Sequence, residues 1–430
     1  MDRPVAPRTA SPVDLLSDLQ WRGLLYQNTD RLPAALAAGP VAGYAGFDPT
    51  ADSLHVGSLV IIMGLARLRA AGHRAVALVG GGTGLIGDPS GKTAERQLVD
   101  RDLVAANGRK IGAQLQRLAD VELADNADWL TPLDAVGFLR DVGKHFTVNY
   151  MLQKDSVRSR MDAGISFTEF AYMLLQSYDF LQLHQRLGVT LQLGGSDQWG
   201  NITAGIELIR RTVAAESHAL TLPLITTAAG TKFGKTEDGT IWLDPDKTSP
   251  YQFYQFWINV DDRDVGRYLR YFTMLSHEEI ADLEADVADP ARASHRRAQR
   301  TLAGTITTRV HDASATKAAE DVSNFLFAGG GSLAVLSDSA WDALKREIPG
   351  GTMPTPANGA AVDVLTLLVS SGLADSRGAA RRLVQQGGVS IDGRRLSAEE
   401  LTIAAESATR PGYFLAKKGA RNFALVQLVA

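Results

Sequence analysis

The 430-residue chain contains no cysteine, which excludes disulfides, thiolate metal sites and a cysteine nucleophile. Long apolar runs are also missing. The densest, Leu59 to Ala66, includes Gly64 and is closed by Arg67 and Arg69, far short of the roughly 18 residues that span a bilayer. No membrane anchor is expected. Residues 1–10 hold Arg3 and Arg8 with two prolines and no apolar core of the kind a secretory signal needs. Residues 1–12 therefore read as a disordered lead, and the cytoplasm is the simplest compartment. A strong charge of either sign is absent too, with 44 Lys and Arg against 48 Asp and Glu, a net charge of −4. Any nucleic-acid contact must then be regional.

What is present fits about three domains at roughly 150 residues each. From Val41 to Leu224, short apolar runs alternate with helical periodicities, the pattern of an α/β domain with a parallel sheet covered by helices. Strands are expected at 41–47, 74–79, 121–124, 189–193 and 222–225. Helices are expected at 53–71, with Ser53 as N-cap, and at 98–118, 131–143, 168–187 and 198–211. From Asp261 to Leu344 the text is charged, alanine-rich and helical, including 277–287 and 290–310. Segment 348–361, with Pro349, Gly350, Gly351, Pro354, Pro356 and Gly359, reads as a linker. The remainder, 362–430, has nine Lys or Arg against six acids, a net +3 on a body of −7. Such a basic module gives a handle for a phosphate backbone.

Two glycine patterns mimic nucleotide motifs. Residues 82–87 spell a formal G-x-G-x-x-G after a strand, but Asp88, Pro89, Ser90 and Gly91 follow as a loop, where a dinucleotide site requires a helix. The run ending Gly91, Lys92, Thr93 lacks the first P-loop glycine at Ile86. A structural turn is the plainer reading of both.

Two other clusters carry chemistry. The turn from Tyr44 through Gly46, Asp48 and Thr50 leads to Leu54, His55, Val56, Gly57 and Ser58 at a helix start, where free amides and the helix dipole favour anions. About 180 residues on, Lys232, Phe233, Gly234, Lys235 and Thr236 lie between Gly230 and Gly239. Lysines three apart in a glycine loop can both reach one polyphosphate, although such pairs are usually solvated.

Together these clusters resemble the HIGH and KMSKS motifs of class I aminoacyl-tRNA synthetases. The flanks 84–91, 165–170 and 194–201 look like bacterial-type tyrosyl-tRNA synthetase, and the resemblance covers nearly the whole chain. It implies a tyrosine–tRNA ligase with a Rossmann-like parallel-sheet catalytic domain (13–225), a lysine loop and helical domain (226–347), and a small α+β S4-like RNA-binding domain (362–430). Tyr44 and Asp179 would bond the substrate phenol, and Tyr172, Gln176 and Asp88 its ammonium group. Independently, Tyr172, Gln176 and Asp179 follow i, i+4, i+7 spacing on one helix face. That face could equally be a solvated one.

By the same resemblance, Gly46, Asp48, His55, Gly57, Ser58, Gly195, Asp197, Gln198 and Lys235 line the adenylate site, with Gln198 also at the tyrosine. Thr50, His55, Lys232, Lys235 and Thr236 would act on the departing pyrophosphate, and Arg377, Arg381, Arg382, Lys417 and Lys418 on tRNA(Tyr), with Arg421 extending that patch. The implied substrates are L-tyrosine, tRNA(Tyr) and ATP, with Mg2+ carried by the phosphates and no dedicated protein metal. A homodimer is implied as well. Members of this family reject phenylalanine by about five orders of magnitude without editing, so no editing domain is expected. Ser58 departs from the second HIGH histidine, and Phe233 and Gly234 from the Met and Ser of KMSKS. The rivals are a tryptophan enzyme, disfavoured by Tyr44 with Asp179, a non-catalytic RNA-binding descendant of a synthetase, and an oxidoreductase.

Overall fold

The computed structural model describes residues 14–88, 99–158, 161, 164–231, 233–236, 239–356, 361–419 and 422–429. It divides into two compact units, 1–247 with 260–302 and 248–259 with 303–430. The helical stretch 226–347 therefore contributes to both.

The first unit is built on a six-stranded sheet in the order β1-β6-β5-β2-β3-β4. The strands are β1 (Gln27–Asn28), β2 (Ala42–Phe47), β3 (Arg74–Val79), β4 (Glu122–Asp125), β5 (Leu191–Gly195) and β6 (His218–Leu222). All neighbours pair in parallel except the edge strand β1. Helices cover both faces of such a sheet, so its strands read as continuous apolar runs. In β3, for instance, five residues from Ala75 to Val79 are buried. The last strand ends at Leu222, where a strand at 222–225 was expected; 218–222 holds the buried run His218, Ala219, Leu220, Thr221 and Leu222.

The helix expected from Ser53 begins later. His55 accepts from the Gly57 amide through Nδ1 (3.0 Å) and caps a 3-10 turn at Val56–Ser58, which leads into the helix Leu59–Ala70. Ser53 is instead buried, its hydroxyl donating to the Leu54 carbonyl (2.8 Å). Helix Phe167–Leu187 is closed by Ser166, which accepts from the Glu169 amide, and by Gly188 at φ 65°. The stretch read as one helix at 290–310 is two, Pro290–Ala293 and Arg297–Val310, separated where Arg296 takes φ 50°.

Two antiparallel pairs follow in chain order, β7 (Lys235–Thr236) with β8 (Gly239–Thr240) in the first unit, and β10 (Val362–Asp363) with β13 (Thr402–Ile403) in the second. The second unit also contains β9 (Gly350–Pro354), β11 (Val389–Ile391), β12 (Arg394–Arg395), β14 (Tyr413–Lys418) and β15 (Asn422–Val429), ordered β12-β11-β14-β15-β9. Part of the expected linker is thus a strand, since β9 pairs in parallel with β15. Gly351 is there for close packing. A Cβ on Gly351 would stand 1.9 Å from the Ser370 carbonyl oxygen at the end of helix Val364–Ser370.

Candidate active site

In parallel sheets, ligands bind beyond the carboxyl ends of strands where the strand order reverses. Here that point lies beside β2, because the chain runs outward through β3 and β4 and then returns with β5 on the other side. Tyr44 of β2 and Gln192 of β5 are register partners across this junction. Tyr44 is 1% exposed, and among the described residues its hydroxyl has no hydrogen-bond partner. Burial first, and then the nearby Asp179, push its pKa well above the ordinary phenol value, so the group stays a donor.

Asp179 is buried on helix Phe167–Leu187. Trp129 Nε1 donates to one carboxyl oxygen (2.7 Å) and Asn126 Nδ2 to the other (2.9 Å). Burial nevertheless outweighs these bonds and raises its pKa to about 8. Tyr44 lies in a core region with Val76, Leu78, Trp129 and Phe180, and the Asp179 carboxyl reaches that region through its bond from Trp129. An apolar ring ending in a hydroxyl satisfies both groups.

Earlier on the same helix, Tyr172 Oη donates to Asp48 Oδ2 (3.0 Å). Gln176 Nε2 donates to Gln198 Oε1 (3.3 Å), and Gln198 Nε2 to Asp88 Oδ2 (2.7 Å). The three residues expected around the ammonium group, Asp88, Tyr172 and Gln176, therefore gather at one place with Asp48 and with Gln198, expected at the adenylate and tyrosine site. Thr83 Oγ1 donates to Asp48 Oδ1 (2.7 Å) and accepts from Asn126 Nδ2 (2.9 Å). A continuous chain of hydrogen bonds thus joins Asp179 to Tyr172 through Asn126, Thr83 and Asp48. Gly46 has open space where a side chain would stand, room for a flat ligand. Gly80 has none, since its Cβ would come within 2.2 Å of Asp48 Oδ1. At Gly195 a Cβ would meet Asp197 Oδ1 at 2.5 Å.

The two distant motifs adjoin. The amide of Val56 donates to the Ile241 carbonyl (3.0 Å) and that of Leu243 to Leu54 (2.8 Å), so the segment after the lysine loop pairs with the histidine turn. The His55 ring meets Trp242 edge-on at 6.2 Å. The Ser58 amide donates to the His55 carbonyl (2.8 Å), and that of Thr50 to Asp48 (2.8 Å). Lys232 and the side chains of Lys235 and Thr236 lie outside the described residues.

Residues 37–328 match the family model described as tRNA synthetases class I (W and Y). The chain belongs to that family. A second model, the tyrosine–tRNA ligase SYY-like C-terminal domain, matches residues 346–426 of this class I synthetase. It is 51% identical over 422 residues to a tyrosine–tRNA ligase of Anaeromyxobacter dehalogenans strain 2CP-1, covering 96% of this chain and 99% of that one. Against the tyrosine–tRNA ligase of Geobacillus stearothermophilus the identity is 49% over 425 residues, covering 96% and 100%. Among solved structures, the C-terminally truncated mitochondrial tyrosyl-tRNA synthetase of Aspergillus nidulans aligns at 31% identity and a TM-score of 0.66, covering 73% of this synthetase and 94% of that chain.

The glycine decoy of this synthetase resolves as a turn. The amides of Gly81 and Gly82 donate to Asp125 Oδ1 (3.1 Å) and Asn126 Oδ1 (2.7 Å), and Thr83–Leu85 is a short 3-10 turn. Gly91 to Thr93 lie outside the described residues. Sequence reading missed Thr83, Asn126, Trp129 and Asn201, whose Nδ2 donates to Gln176 Oε1 (3.0 Å). The available signal was position: Asn126 and Trp129 directly follow β4, and strand carboxyl ends supply site residues.

In the second unit, Arg381 and Arg382 on helix Arg377–Gln385 are exposed, opposite the buried Ala380 and Val384. Arg377 pairs with Asp363 (2.5 Å). Lys417 and Lys418 donate to the carbonyls of Gly329 (3.1 Å) and Leu373 (3.0 Å). Arg421 lies outside the described residues.

Proposed function

We propose that the chain activates L-tyrosine with ATP and then esterifies the 3′ end of tRNA(Tyr). The observation that carries this reading is the buried, unpartnered Tyr44 hydroxyl beside the doubly anchored Asp179 carboxyl. The tyrosine carboxylate attacks the α-phosphate in line, and the bond to pyrophosphate breaks as the acyl–phosphate bond forms. A ribose hydroxyl of the tRNA then attacks the acyl carbon, and AMP leaves. No residue of the chain becomes covalently attached, so catalysis consists of positioning and of donors aimed at growing charge.

In this reading Asp88, Tyr172 and Gln176 hold the ammonium group, and Gln198 lies between the tyrosine and the adenylate. Gly46, Asp48, Gly57, Ser58, Gly195 and Asp197 line the adenylate, and Thr50, His55, Lys232, Lys235 and Thr236 attend the leaving pyrophosphate. ATP enters as its magnesium complex, the cation carried by the phosphates. Arg377, Arg381, Arg382, Lys417 and Lys418 of the S4-like module (362–430) contact tRNA. The exposed apolar residues Val136 (75%), Leu139 (57%), Val148 (61%), Met161 (51%) and Phe167 (74%) within 136–167 support a homodimer. Among the described residues no helix is long and apolar enough to cross a membrane, and this reaction belongs in the cytoplasm.

ATP–pyrophosphate exchange with tyrosine, tryptophan and phenylalanine tests the reading. Exchange driven by tyrosine alone is expected. Exchange with tryptophan instead, or with none of the three, overturns it.

A further inference from the structure

The loop bearing Lys235 is gripped two residues earlier. Phe233 is 5% exposed. Its ring stacks on Phe272 (centroids 5.4 Å, planes 18° apart) and meets Tyr268 edge-on (5.0 Å, 63°). Both partners lie on helix Asp262–Phe272. Two buried arginines clamp the end of that helix to the catalytic sheet's own helices. Arg67 Nη2 donates to the carbonyls of Arg270 (3.0 Å), Tyr271 (3.3 Å) and Thr273 (2.7 Å). Arg22 donates to Arg270 (3.3 Å) and Leu275 (2.8 Å). The aromatic socket is therefore a fixed point.

The next residue turns the chain toward the histidine motif. Gly234 takes φ 80°, and a Cβ on it would stand 2.5 Å from Val56 Cγ2, so only glycine fits there. Its carbonyl accepts from the Ile241 amide (3.3 Å), and the Ile241 carbonyl in turn accepts from Val56 (3.0 Å). Lys235 then opens the β7–β8 hairpin. One ring in a clamped socket and one glycine against the His55 turn thus fix where the hairpin begins.

We infer that Phe233 is a positioning residue, setting the place of Lys235 relative to the His55 turn through its ring in the Tyr268/Phe272 socket. The inference rests on the activation reaction proposed above. Lysine is a point charge on a flexible stem, so its use at a phosphate depends on where its backbone is held. A displacement of about 1 Å costs on the order of a hundredfold in rate. The position corresponds to the Met of the KMSKS pattern, and the ring provides a larger, stackable anchor there.

The test uses the full-length chain with Phe233→Ala, Phe233→Leu, Phe272→Leu, Lys235→Ala and the Phe233→Ala/Lys235→Ala double variant. It follows pre-steady-state adenylate formation, tyrosine affinity and melting temperature. Phe233→Ala is expected to slow adenylate formation about 10- to 100-fold, with tyrosine affinity changed less than about twofold. Phe233→Leu, which keeps apolar bulk, should recover most of the rate. Phe272→Leu, altering the socket from the helix side, should slow the same step. With Lys235 already replaced, Phe233→Ala should cost less than about threefold, as for residues acting as one unit. The inference is overturned if Phe233→Ala costs as much without Lys235 as with it, leaves the rate unchanged, or lowers rate and tyrosine affinity together. Failure of the parent chain to exchange with tyrosine would fault the functional reading itself. Exchange by a parent indifferent to Phe233 would fault only this role.

Discussion

The buried Tyr44/Asp179 site and the exposed arginines of helix Arg377–Gln385, proposed above for the substrate phenol and for tRNA, handle polarity in opposite ways. In the pocket, Asp179 is 2% exposed, held by two donors and raised to a pKa of about 8 by burial. On helix Arg377–Gln385, Arg381 and Arg382 stand in solvent, with only their charge to offer. The difference follows from the ligands. A small neutral phenol is distinguished by leaving buried groups unsatisfied when its hydroxyl is missing, whereas a polyanion is held by many weak, screened contacts. On the proposed function, selectivity for the amino acid accordingly resides in few atoms, and affinity for RNA is spread over many.

The sharpest break in that comparison comes from Asp179→Ala, which strands Trp129 Nε1 and Asn126 Nδ2 as well as losing the phenol acceptor. Its kcat/KM for tyrosine in pyrophosphate exchange should fall about a thousandfold. A loss below tenfold would mean that Asp179 is not the phenol partner. Next in size is the double variant Arg381→Glu/Arg382→Glu. The KM for tRNA should rise about tenfold or more, with a weaker salt dependence, while exchange without tRNA is unaltered. Equal loss in both assays would show that the two regions are not separable.

A third break concerns pH. Asp179 has a folded pKa near 8 against an ordinary value of 3.8, so its contribution to stability is full below about pH 4 and is lost as pH rises toward 8. The melting temperature of the parent should therefore fall relative to Asp179→Asn between pH 5 and 8. A constant difference would indicate a carboxyl already ionised throughout.

Residues 350–354 and 126–129 show what the linear text hides. Glycine and proline signal a linker, yet Gly350 and Gly351 sit in a strand because β15 supplies the pairing, and at Gly351 a neighbouring helix leaves no room for a side chain. Asn126 and Trp129 are ordinary residues after a strand until the fold brings Asp179 to them across 53 and 50 positions. By contrast, the spacing Tyr172, Gln176, Asp179 was legible, because helical periodicity is local.

The amino-acid sequence by itself determined the parallel α/β layout, the pairing of a histidine turn with a lysine loop as motifs, and the helix face presenting Tyr172, Gln176 and Asp179. The first and third depend on neighbours within a few residues, and the second on resemblance to the family's two motifs. Only the tertiary structure decided that the Tyr44 hydroxyl finds no partner among the described residues, that Asp179 is raised by burial, and that Phe233 lies in a socket on a clamped helix. Burial and long-range hydrogen bonding are properties of what surrounds a side chain in space, and no local pattern encodes them.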